Sequence, residues 1–476
     1  MKTAPRDFSA GRGGSSTKMN ATLLSKVAQW SGGHLLAGGA DATVTSICTD
    51  SRSLKSGDIF IALRGENFDG HSFVPEAARL GAIGAVVEKA PLGLPVNFGI
   101  IKVLDTLRAL QLLSTNYRTS LPLKVVGVTG SNGKTSTKDF TASVLGQRYR
   151  VAKTEGNLNN HIGVPLTLLG LDSAHEMAIV EMGMNHPGEI APLAAMAKPD
   201  AAIITNIGTA HIEFMRTREA IAQEKGMLAE AIHSSGTVVL NADDEFTPRI
   251  ARRCSARVVT AGISSGDVRA TDLKPLSSGI QFRLHATGQC VQAELPVPGE
   301  HMVRNALLAC ATGLSFGLTL DECAEGLRVI QLSKGRLQQK QIGGITILDD
   351  SYNANPDSVI AGLATLAQMP CKGRRIAVLG RMGELGEESE RGHRRVGMAV
   401  GELAISCVIA VGEEAGWIAD AARTGGVREV IHVSDVDDAV VALRGMTGEG
   451  DTVLVKGSRS AKMERIVQAM EKGGVA

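Results

Sequence analysis

Short apolar runs alternate with amphipathic stretches along most of the chain, and each run stops at a polar residue or a glycine. Buried parallel strands are apolar on both faces, so this alternation predicts an α/β protein with largely parallel sheets. The predicted strands are 44–48, 58–63, 85–87, 125–128, 177–181, 202–205, 236–240, 345–348, 375–379, 407–411 and 452–455. Helices are predicted between them, among them 72–80, 107–117 and 302–316.

The predicted strands fall into three regions, and a length of 476 residues agrees with three domains at about 150 residues each. We expect a small α/β N-terminal domain over 20–102, a central P-loop mononucleotide-binding domain over 103–334 and a Rossmann-like C-terminal domain over 335–476. Residues 1–19 carry glycine, serine and scattered charge without an apolar run. They are predicted to be a disordered lead-in, with Met19 as an alternative start.

Composition and charge narrow the classes of partner. The net charge is +1, so no general basic field attracts nucleic acid or an anionic membrane. The most apolar uncharged stretch, 305–320, is too short to cross a bilayer, so no membrane insertion is expected. The seven cysteines are scattered and form no C-x-x-C pair, which argues against disulfides or structural zinc and favours a reducing, cytoplasmic location.

The most informative local pattern is the stretch Gly127-Val-Thr-Gly-Ser-Asn-Gly-Lys-Thr135, which leads from an apolar strand into a helix. Glycines let backbone N–H groups surround phosphate oxygens, Lys134 would reach the β- and γ-phosphates, and Thr135 would offer a hydroxyl to Mg²⁺. The spacing is unusual, because Val128 stands where the common phosphate loop has its first glycine. An ordinary strand–turn–helix corner is the alternative, and Gly-Lys-Thr at this junction argues against it.

Three more residues have a functional and a structural interpretation. Glu181 ends a predicted strand, which suits a Mg²⁺ ligand but equally a solvated charge. His211 follows another strand, and a lone histidine is more often a hydrogen-bonded structural residue. Thr217 can cap a helix to about residue 233, on which Lys225 interrupts an apolar stripe formed by Ile221, Leu228 and Ile232. From periodicity alone, Lys225 is most simply an edge lysine that extends to water.

Longer motifs resemble the Mur ligases, with the folylpolyglutamate synthetases as related enzymes. Besides the loop at 129–135, the resemblance is carried by four stretches: Glu155-Gly-Asn-Leu-Asn-Asn-His-Ile-Gly-Val-Pro165, Asn185-His-Pro-Gly-Glu-Ile190, Asp350-Ser-Tyr-Asn-Ala-Asn-Pro356 and Val455-Lys-Gly-Ser-Arg-Ser460. It extends over nearly all of residues 44–472. Strings of this length are far more specific than the phosphate loop alone.

The resemblance implies an ADP-forming, ATP-dependent amide-bond ligase of peptidoglycan precursor synthesis. Its substrates would be UDP-N-acetylmuramoyl-tripeptide and D-alanyl-D-alanine, joined through an acyl phosphate by a monomeric enzyme. The three domains would bind the UDP-linked substrate, bind ATP, and bind the acceptor while closing over the site. The alternatives are another Mur-type or folylpolyglutamate-type ligase, or a nucleotide-binding protein without catalysis.

The resemblance also assigns residues to ATP and metal. ATP would be bound by Gly130, Ser131, Asn132, Gly133, Lys134, Thr135, Ser136, Asn305 (adenine), Arg336 and Asp350 (ribose). One Mg²⁺ would be held by Thr135 and Glu181, and a second by His211 with Lys225 as its carbamate. Beside a metal, a buried ammonium is disfavoured, whereas a neutral amine can take up carbon dioxide and offer hard oxygen ligands.

Substrate residues are implied in the same way. Asn159 and Asn160 would lie near the acyl phosphate and, with Lys134, His211 and Lys225, make up the catalytic set. The UDP-linked substrate would be held by Ser51, Arg52, Asp69 and His71. D-Alanyl-D-alanine would be held by Ser351, Tyr352, Asn353, Asn355, Lys456, Ser458 and Arg459.

The chain departs from the family pattern at two places. Arg381 stands where the family often has aspartate, and Met302 stands where asparagine is common. We expect Arg381 to be either solvated or paired with a nearby acid such as Glu384 or Glu387.

Overall fold

The computed structural model describes residues 16–472, which form two compact units. Within the described part of the chain, the first unit comprises 16–127, 149–183 and 189–200, and the second comprises 128–148, 184–188 and 201–472. The domain boundaries predicted near residues 103 and 335 stay a prediction.

The N-terminal sheet has six strands in the order β1-β3-β4-β5-β6-β2. Its strands are β1 (Thr17–Leu23), β2 (His34–Ala37), β3 (Thr43–Cys48), β4 (Ile59–Ile61), β5 (Gly84–Val87) and β6 (Gly99–Lys102). The four inner strands are parallel, and β1 and β2 pair antiparallel at the edges. Its helices are α1 (Leu24–Trp30), α2 (Val74–Arg79) and α3 (Thr106–Thr119).

One prediction in this region is wrong. Residues 17–19 were assigned to the disordered lead-in, but Thr17 pairs with Ile47 and Lys18 with Ser46 as β1 begins. Strand pairing along an exposed edge needs no apolar run, so composition gave no signal. The remainder of the predicted lead-in, 1–15, lies outside the described residues.

The middle of the chain contributes nine strands: β7 (Lys124–Thr129), β8 (Val151–Lys153), β9 (Met177–Glu181), β10 (Ala201–Ile204), β11 (Thr237–Asn241), β12 (Arg257–Gly262), β13 (Val268–Leu276), β14 (Gly279–Ala286) and β15 (Gln289–Leu295). In the first unit β8 and β9 pair in parallel. In the second unit β10 to β13 are parallel, whereas β13, β14 and β15 form an antiparallel meander that the prediction of largely parallel sheets did not include.

The helices of this middle stretch are α4 (Lys134–Leu145), α5 (Gly163–Leu169), α6 (Ile190–Ala197), α7 (Ile212–Met215), α8 (Arg218–Glu230), α9 (Thr247–Ala251), α10 (Glu300–Ser315) and α11 (Leu320–Arg328). The predicted cap of α8 is present, because Thr217 Oγ1 accepts a hydrogen bond from Ala220 N at 3.1 Å. A capped helix start fixes the rotation of α8 and therefore the direction of its side chains.

The C-terminal sheet has the order β16-β17-β21-β18-β19-β20 and is parallel except for the edge strand β16. Its strands are β16 (Gln338–Ile342), β17 (Ile345–Asp350), β18 (Arg375–Gly380), β19 (Cys407–Val411), β20 (Glu429–Val433) and β21 (Thr452–Lys456). The helices are α12 (Pro356–Gln368), α13 (Ser389–Glu402), α14 (Gly416–Thr424), α15 (Val436–Met446) and α16 (Glu464–Lys472). Buried residues of α15 and α16, among them Leu443 and Ile466, pack on Ile347, Val378 and Ile409, so this sheet has its own core.

All seven cysteines are free. Between residues 16 and 472, no helix is long and apolar enough to span a membrane.

Candidate active site

The loop after β7 depends on two glycines. Gly130 has φ 149° and Gly133 has φ 79°, in the region that favours glycine. A Cβ at residue 130 would collide with the Thr205 hydroxyl, and one at residue 133 would collide with the Asn305 side chain. The backbone can therefore take this curved path only with glycine at both positions.

The segment after β10 supports the phosphate loop through hydrogen bonds to its backbone. Ser131 N donates to Asn206 O at 2.9 Å, and Asn132 N donates to Asn206 Oδ1 at 3.0 Å. Thr205 Oγ1 donates to Asn132 O at 2.5 Å. The Ser131 hydroxyl is buried and has no hydrogen-bond partner within the described residues. The loop is thus preformed, and the Ser131 hydroxyl remains available to donate a hydrogen bond to a ligand.

The Gly-Lys-Thr end of the loop leads into α4. Lys134 Nζ donates to Gly130 O at 2.8 Å, so its ammonium folds back over the loop. Thr135 is nearly buried, and its Oγ1 lies 3.3 Å from Arg336 Nη2. The C-terminal part of the chain thereby brings a second cation to the phosphate loop, as an anionic ligand requires.

In the first unit, Glu181 at the end of β9 is only 2% exposed. Its Oε1 accepts a hydrogen bond from Asn159 Nδ2 at 2.8 Å, and its backbone N–H donates to Thr154 Oγ1 at 3.0 Å. Asn160 has a structural contact, since its Oδ1 accepts from Gly163 N at 2.8 Å at the start of α5. The structure places Asn159 beside the carboxylate and Asn160 at a helix end.

Lys225 on α8 is fully buried, and its Nζ has no hydrogen-bond partner within residues 16–472. The interpretation as an edge lysine reaching water is therefore wrong, because the side chain points into the protein. Burial, and then repulsion by Lys134, hold the pKa of the Lys225 ammonium well below its usual range. The lowered pKa favours the neutral, nucleophilic form of this amine.

His211 comes from the turn before α7 and has φ 63°. Its Nδ1 lies 2.5 Å from Glu384 Oε2. Burial lowers the pKa of His211, although Glu384 opposes that shift, and the charges of Lys225 and Lys134 lower it further. Between residues 16 and 472, no three histidine, cysteine or acidic side chains are grouped closely enough to bind a metal.

The residues expected at adenine and ribose lie on α10 and β17. Asn305 is buried against Gly133 of the loop. Asp350 Oδ2 accepts a hydrogen bond from Lys456 Nζ at 2.6 Å, and the same ammonium donates to Asn353 O at 2.9 Å. Lys456 and Asp350, predicted to contact different substrates, thus contact each other.

Two residues of the C-terminal region, Tyr352 and Asn355, contact Arg336 and the phosphate loop, respectively, and two more predicted residues lie against C-terminal neighbours. The Arg336 guanidinium lies 4.2 Å from the centre of the Tyr352 ring, and that of Arg459 lies 5.8 Å away. Asn355 caps α12 by accepting from Ser358 N, and its Nδ2 donates to Asn132 Oδ1 at 2.7 Å. The Ser458 hydroxyl lies 3.0 Å from that of Ser460.

The predicted uridine-nucleotide residues lie in two short turns of the first unit. Arg52, which follows Ser51, extends into solvent and pairs with Asp50 at 2.6 Å. His71 Nδ1 lies 2.6 Å from Asp69 Oδ1, while its Nε2 accepts a hydrogen bond from Glu88 N at 2.9 Å. Nδ1 of His71 thus contacts its own turn, and Nε2 connects that turn to the backbone at Glu88.

Three residues at the site were not predicted from the sequence. Asn206 supports the phosphate loop, Asp357 accepts hydrogen bonds from Thr209 N and Oγ1 at 3.0 and 2.9 Å, and Glu384 contacts His211. Asn206 follows directly after an apolar strand, so a strand-end rule could have found it. Glu384 lies in a loop with no periodic pattern, and its contact with His211 leaves no local signal.

The expected partners of Arg381 are also corrected. Its guanidinium pairs with Glu414 at 3.2 Å, not with Glu384 or Glu387. The Glu384 side chain is instead engaged with His211, with 2.5 Å between its Oε2 and His211 Nδ1.

Comparisons with protein families cover most of the chain. The model described as Mur ligase family, catalytic domain, matches residues 43–118. The Mur ligase middle domain matches 128–313, and the Mur ligase, glutamate ligase domain, matches 335–459.

Individual relatives agree with the family match. The chain is 38% identical over 442 residues to the UDP-N-acetylmuramoyl-tripeptide–D-alanyl-D-alanine ligase of Escherichia coli (strain K12), covering 92% of this chain and 96% of that protein. A crystal structure of MurF from Acinetobacter baumannii superposes with a TM-score of 0.87 at 33% identity, covering 96% of this chain and all of that one. The MurF ligase of Thermotoga maritima, solved in complex with ADP, gives 0.81 at 29% identity, covering 90% and 97%.

Proposed function

Because the chain belongs to the Mur ligase family, we propose that it joins D-alanyl-D-alanine to UDP-N-acetylmuramoyl-tripeptide, converting ATP to ADP and phosphate. The observation that carries the proposal is sequence identity across almost the full length of a relative with this activity. The preformed phosphate loop with two adjacent cations supports it.

The chemistry explains why ATP is needed. A carboxylate does not react with an amine at a useful rate, because the leaving group would be hydroxide or oxide. Transfer of the γ-phosphoryl group to the tripeptide carboxylate gives an acyl phosphate. The free amine of D-alanyl-D-alanine then attacks the carbonyl carbon, the C–O bond to phosphate breaks, and the amine loses a proton.

Charge on the phosphoryl group is the main catalytic problem, and we assign its stabilisation to the loop after β7. Its backbone N–H groups and the buried Ser131 hydroxyl would face the phosphates, and Lys134 would turn from Gly130 O to the transferring group. Arg336, held over the Tyr352 ring, would add a second positive charge. Asn305 would lie near the adenine and Asp350 near the ribose.

Bound Mg²⁺ would offset phosphate charge, and the donor types present suit it. The family resemblance assigns one ion to the Glu181 carboxylate and the Thr135 hydroxyl, and both are oxygen donors of the kind that Mg²⁺ prefers. For a second ion we assign His211 and a carbamate of Lys225. The buried Lys225 amine has no hydrogen-bond partner among the described residues, so a carbamate there would not break an existing hydrogen bond. Forming the carbamate makes one N–C bond to carbon dioxide and releases one proton.

Acyl phosphates hydrolyse, so water must be kept out during transfer. Contacts from α12 to the phosphate loop region, through Asn355 to Asn132 and Asp357 to Thr209, would hold the C-terminal part in place. Asn159 would lie near the acyl phosphate, and the D-alanyl-D-alanine would contact Tyr352, Asn353, Ser458 and Arg459. The turns around Arg52 and His71 would hold the uridine nucleotide, and the enzyme would act as a cytoplasmic monomer.

A phosphate-release assay with purified UDP-N-acetylmuramoyl-tripeptides tests this function. We expect release that depends on both ATP and D-alanyl-D-alanine, together with a product one dipeptide heavier by mass spectrometry. Lys134→Ala is the matched negative control, since it should fold normally but release no phosphate. ATP binding without amine-dependent release, or release only with a folate acceptor, would contradict the proposal.

A further inference from the structure

Glu384 contacts His211 from a loop that none of the predictions above connected with it. Glu384 lies between β18 and α13, whereas His211 lies between β10 and α7. Their side chains meet with 2.5 Å between Oε2 and Nδ1, and the Glu384 side chain is 45% exposed. The exposure means that packing alone does not force the carboxylate into this position.

Both residues have unusual backbones. His211 has φ 63° and Glu384 has φ 60°, a region that residues other than glycine seldom occupy and that costs about 1–3 kcal/mol each. Two strained residues in direct contact are typical of functional sites.

The loop that carries Glu384 is anchored on both sides. Met382 N donates to Nε2 of the fully buried His393 at 2.9 Å, and the other ring nitrogen of His393 lies 2.7 Å from Ser389 O. Ser458 N donates to Arg381 O at 2.9 Å. The backbone near Glu384 is therefore held by contacts that do not involve the Glu384 side chain.

The backbones of the two segments also touch. Glu213 N donates to Glu384 O at 3.4 Å. Gly386 has φ 54°, and a Cβ there would come within 2.9 Å of the Glu213 side chain. A glycine at this position lets the loop approach α7 closely enough for Glu384 to reach His211.

We propose that Glu384 is a positioning residue for His211: its carboxylate keeps the proton on Nδ1 and leaves the Nε2 lone pair free to bind a metal ion. Histidines that bind metals generally give their second ring nitrogen to a carboxylate or carbonyl, which fixes ring orientation and tautomer. The inference rests on the proposed function, because that function assigns a metal to His211.

The first test is ¹⁵N NMR of histidine-labelled protein without metal or nucleotide, with the His211 signals identified by their loss in His211→Gln. In the parent protein we expect the proton on Nδ1, and in Glu384→Gln a shift toward a mixture of tautomers. Glu387→Gln is the matched control, since it removes the same charge from the same loop at an exposed residue. It should leave the His211 signals unchanged.

The second test is the Mg²⁺ dependence of phosphate release. We expect Glu384→Gln to need about 10–100-fold more Mg²⁺ for half-maximal rate, as for other carboxylates behind metal-binding histidines. Glu384→Asp should recover part of the loss, and Glu387→Gln should match the parent.

Unchanged His211 signals in Glu384→Gln, or equal effects in Glu384→Gln and Glu387→Gln, would overturn the inference. If the parent protein releases no phosphate, the proposed function fails. The NMR result then still decides the role of Glu384, because it needs neither substrate nor metal.

Discussion

Lys225 on α8 and Lys456 on β21 are both buried in the second unit, but their surroundings differ. Lys456 donates to the Asp350 carboxylate and to Asn353 O, so the cost of burying its charge, which lowers the pKa of Lys456, is offset in part. Lys225 has no hydrogen-bond partner in the described part of the chain, and Lys134 repels it. Burial of a lysine is therefore not a functional signal by itself. Burial without a hydrogen-bonded partner is such a signal, because an ammonium in that position is unstable unless something modifies or neutralises it.

The largest effect is expected where a compensated charge loses its partner. Lys456→Met leaves the Asp350 carboxylate nearly buried without a cation, which should cost about 3–5 kcal/mol in the free energy of unfolding. Urea unfolding followed by circular dichroism measures this. The double variant Lys456→Met with Asp350→Leu should recover most of the loss. If Lys456→Met is as stable as the parent, then the pairing of Lys456 with Asp350 does not distinguish it from Lys225.

Lys225 should behave in the opposite way. Lys225→Ala removes no compensated pair, so its fold should persist while phosphate release falls by about 10²–10³-fold, as for groups that stabilise transition-state charge. Acetate or formate should restore part of the rate by occupying the place of the carbamate. Lys225→Met is the control, since its side chain fills that space and should not be rescued.

The proposed carbamate is tested with ¹³C-bicarbonate, which should give one added NMR signal in the parent protein that Lys225→Ala lacks. Carbamates are lost in acid, so the measurement is made at neutral pH. Full activity of Lys225→Ala would contradict the assignment.

A smaller effect concerns pH near the compensated lysine. His301 faces Asp350, Lys456 and Arg304, and burial, its largest influence, lowers its pKa from 6.5 to about 4. Since the folded state holds His301 neutral, the unfolded state binds more protons between pH 6.5 and 4. Stability should therefore fall as the pH drops through this window. His301→Gln should make the profile of unfolding free energy against pH flatter in this window. An unchanged slope would contradict the claim that the folded state holds His301 neutral.

The sequence predicts features that depend on local patterns, and it does not predict contacts between residues that are distant along the chain. The bounds of β9 and β19 match the predicted strands, because each is a buried apolar run between polar residues. The meander β13 to β15 was missed because its strands alternate between buried and exposed positions within a polar stretch. Helical periodicity placed Lys225 on an apolar face, but its lack of a partner depends on distant residues. Glu384 was beyond prediction for the same reason, since its meeting with His211 depends on how two loops pack.

The smallest effect is expected at an exposed charge pair. Arg381 is half-exposed and pairs with Glu414 at 3.2 Å, so water screens both charges. Arg381→Ala should change the free energy of unfolding by only about 0–1 kcal/mol and leave phosphate release near normal. Arg381→Asp would place a second negative charge beside Glu414 and should be slightly less stable than alanine, and Arg381→Asp with Glu414→Gln should remove that difference. Thermal unfolding of the three variants separates charge repulsion from loss of packing. A large loss of activity in Arg381→Ala would mean that this surface pair, like Lys456 with Asp350, holds part of the site in place.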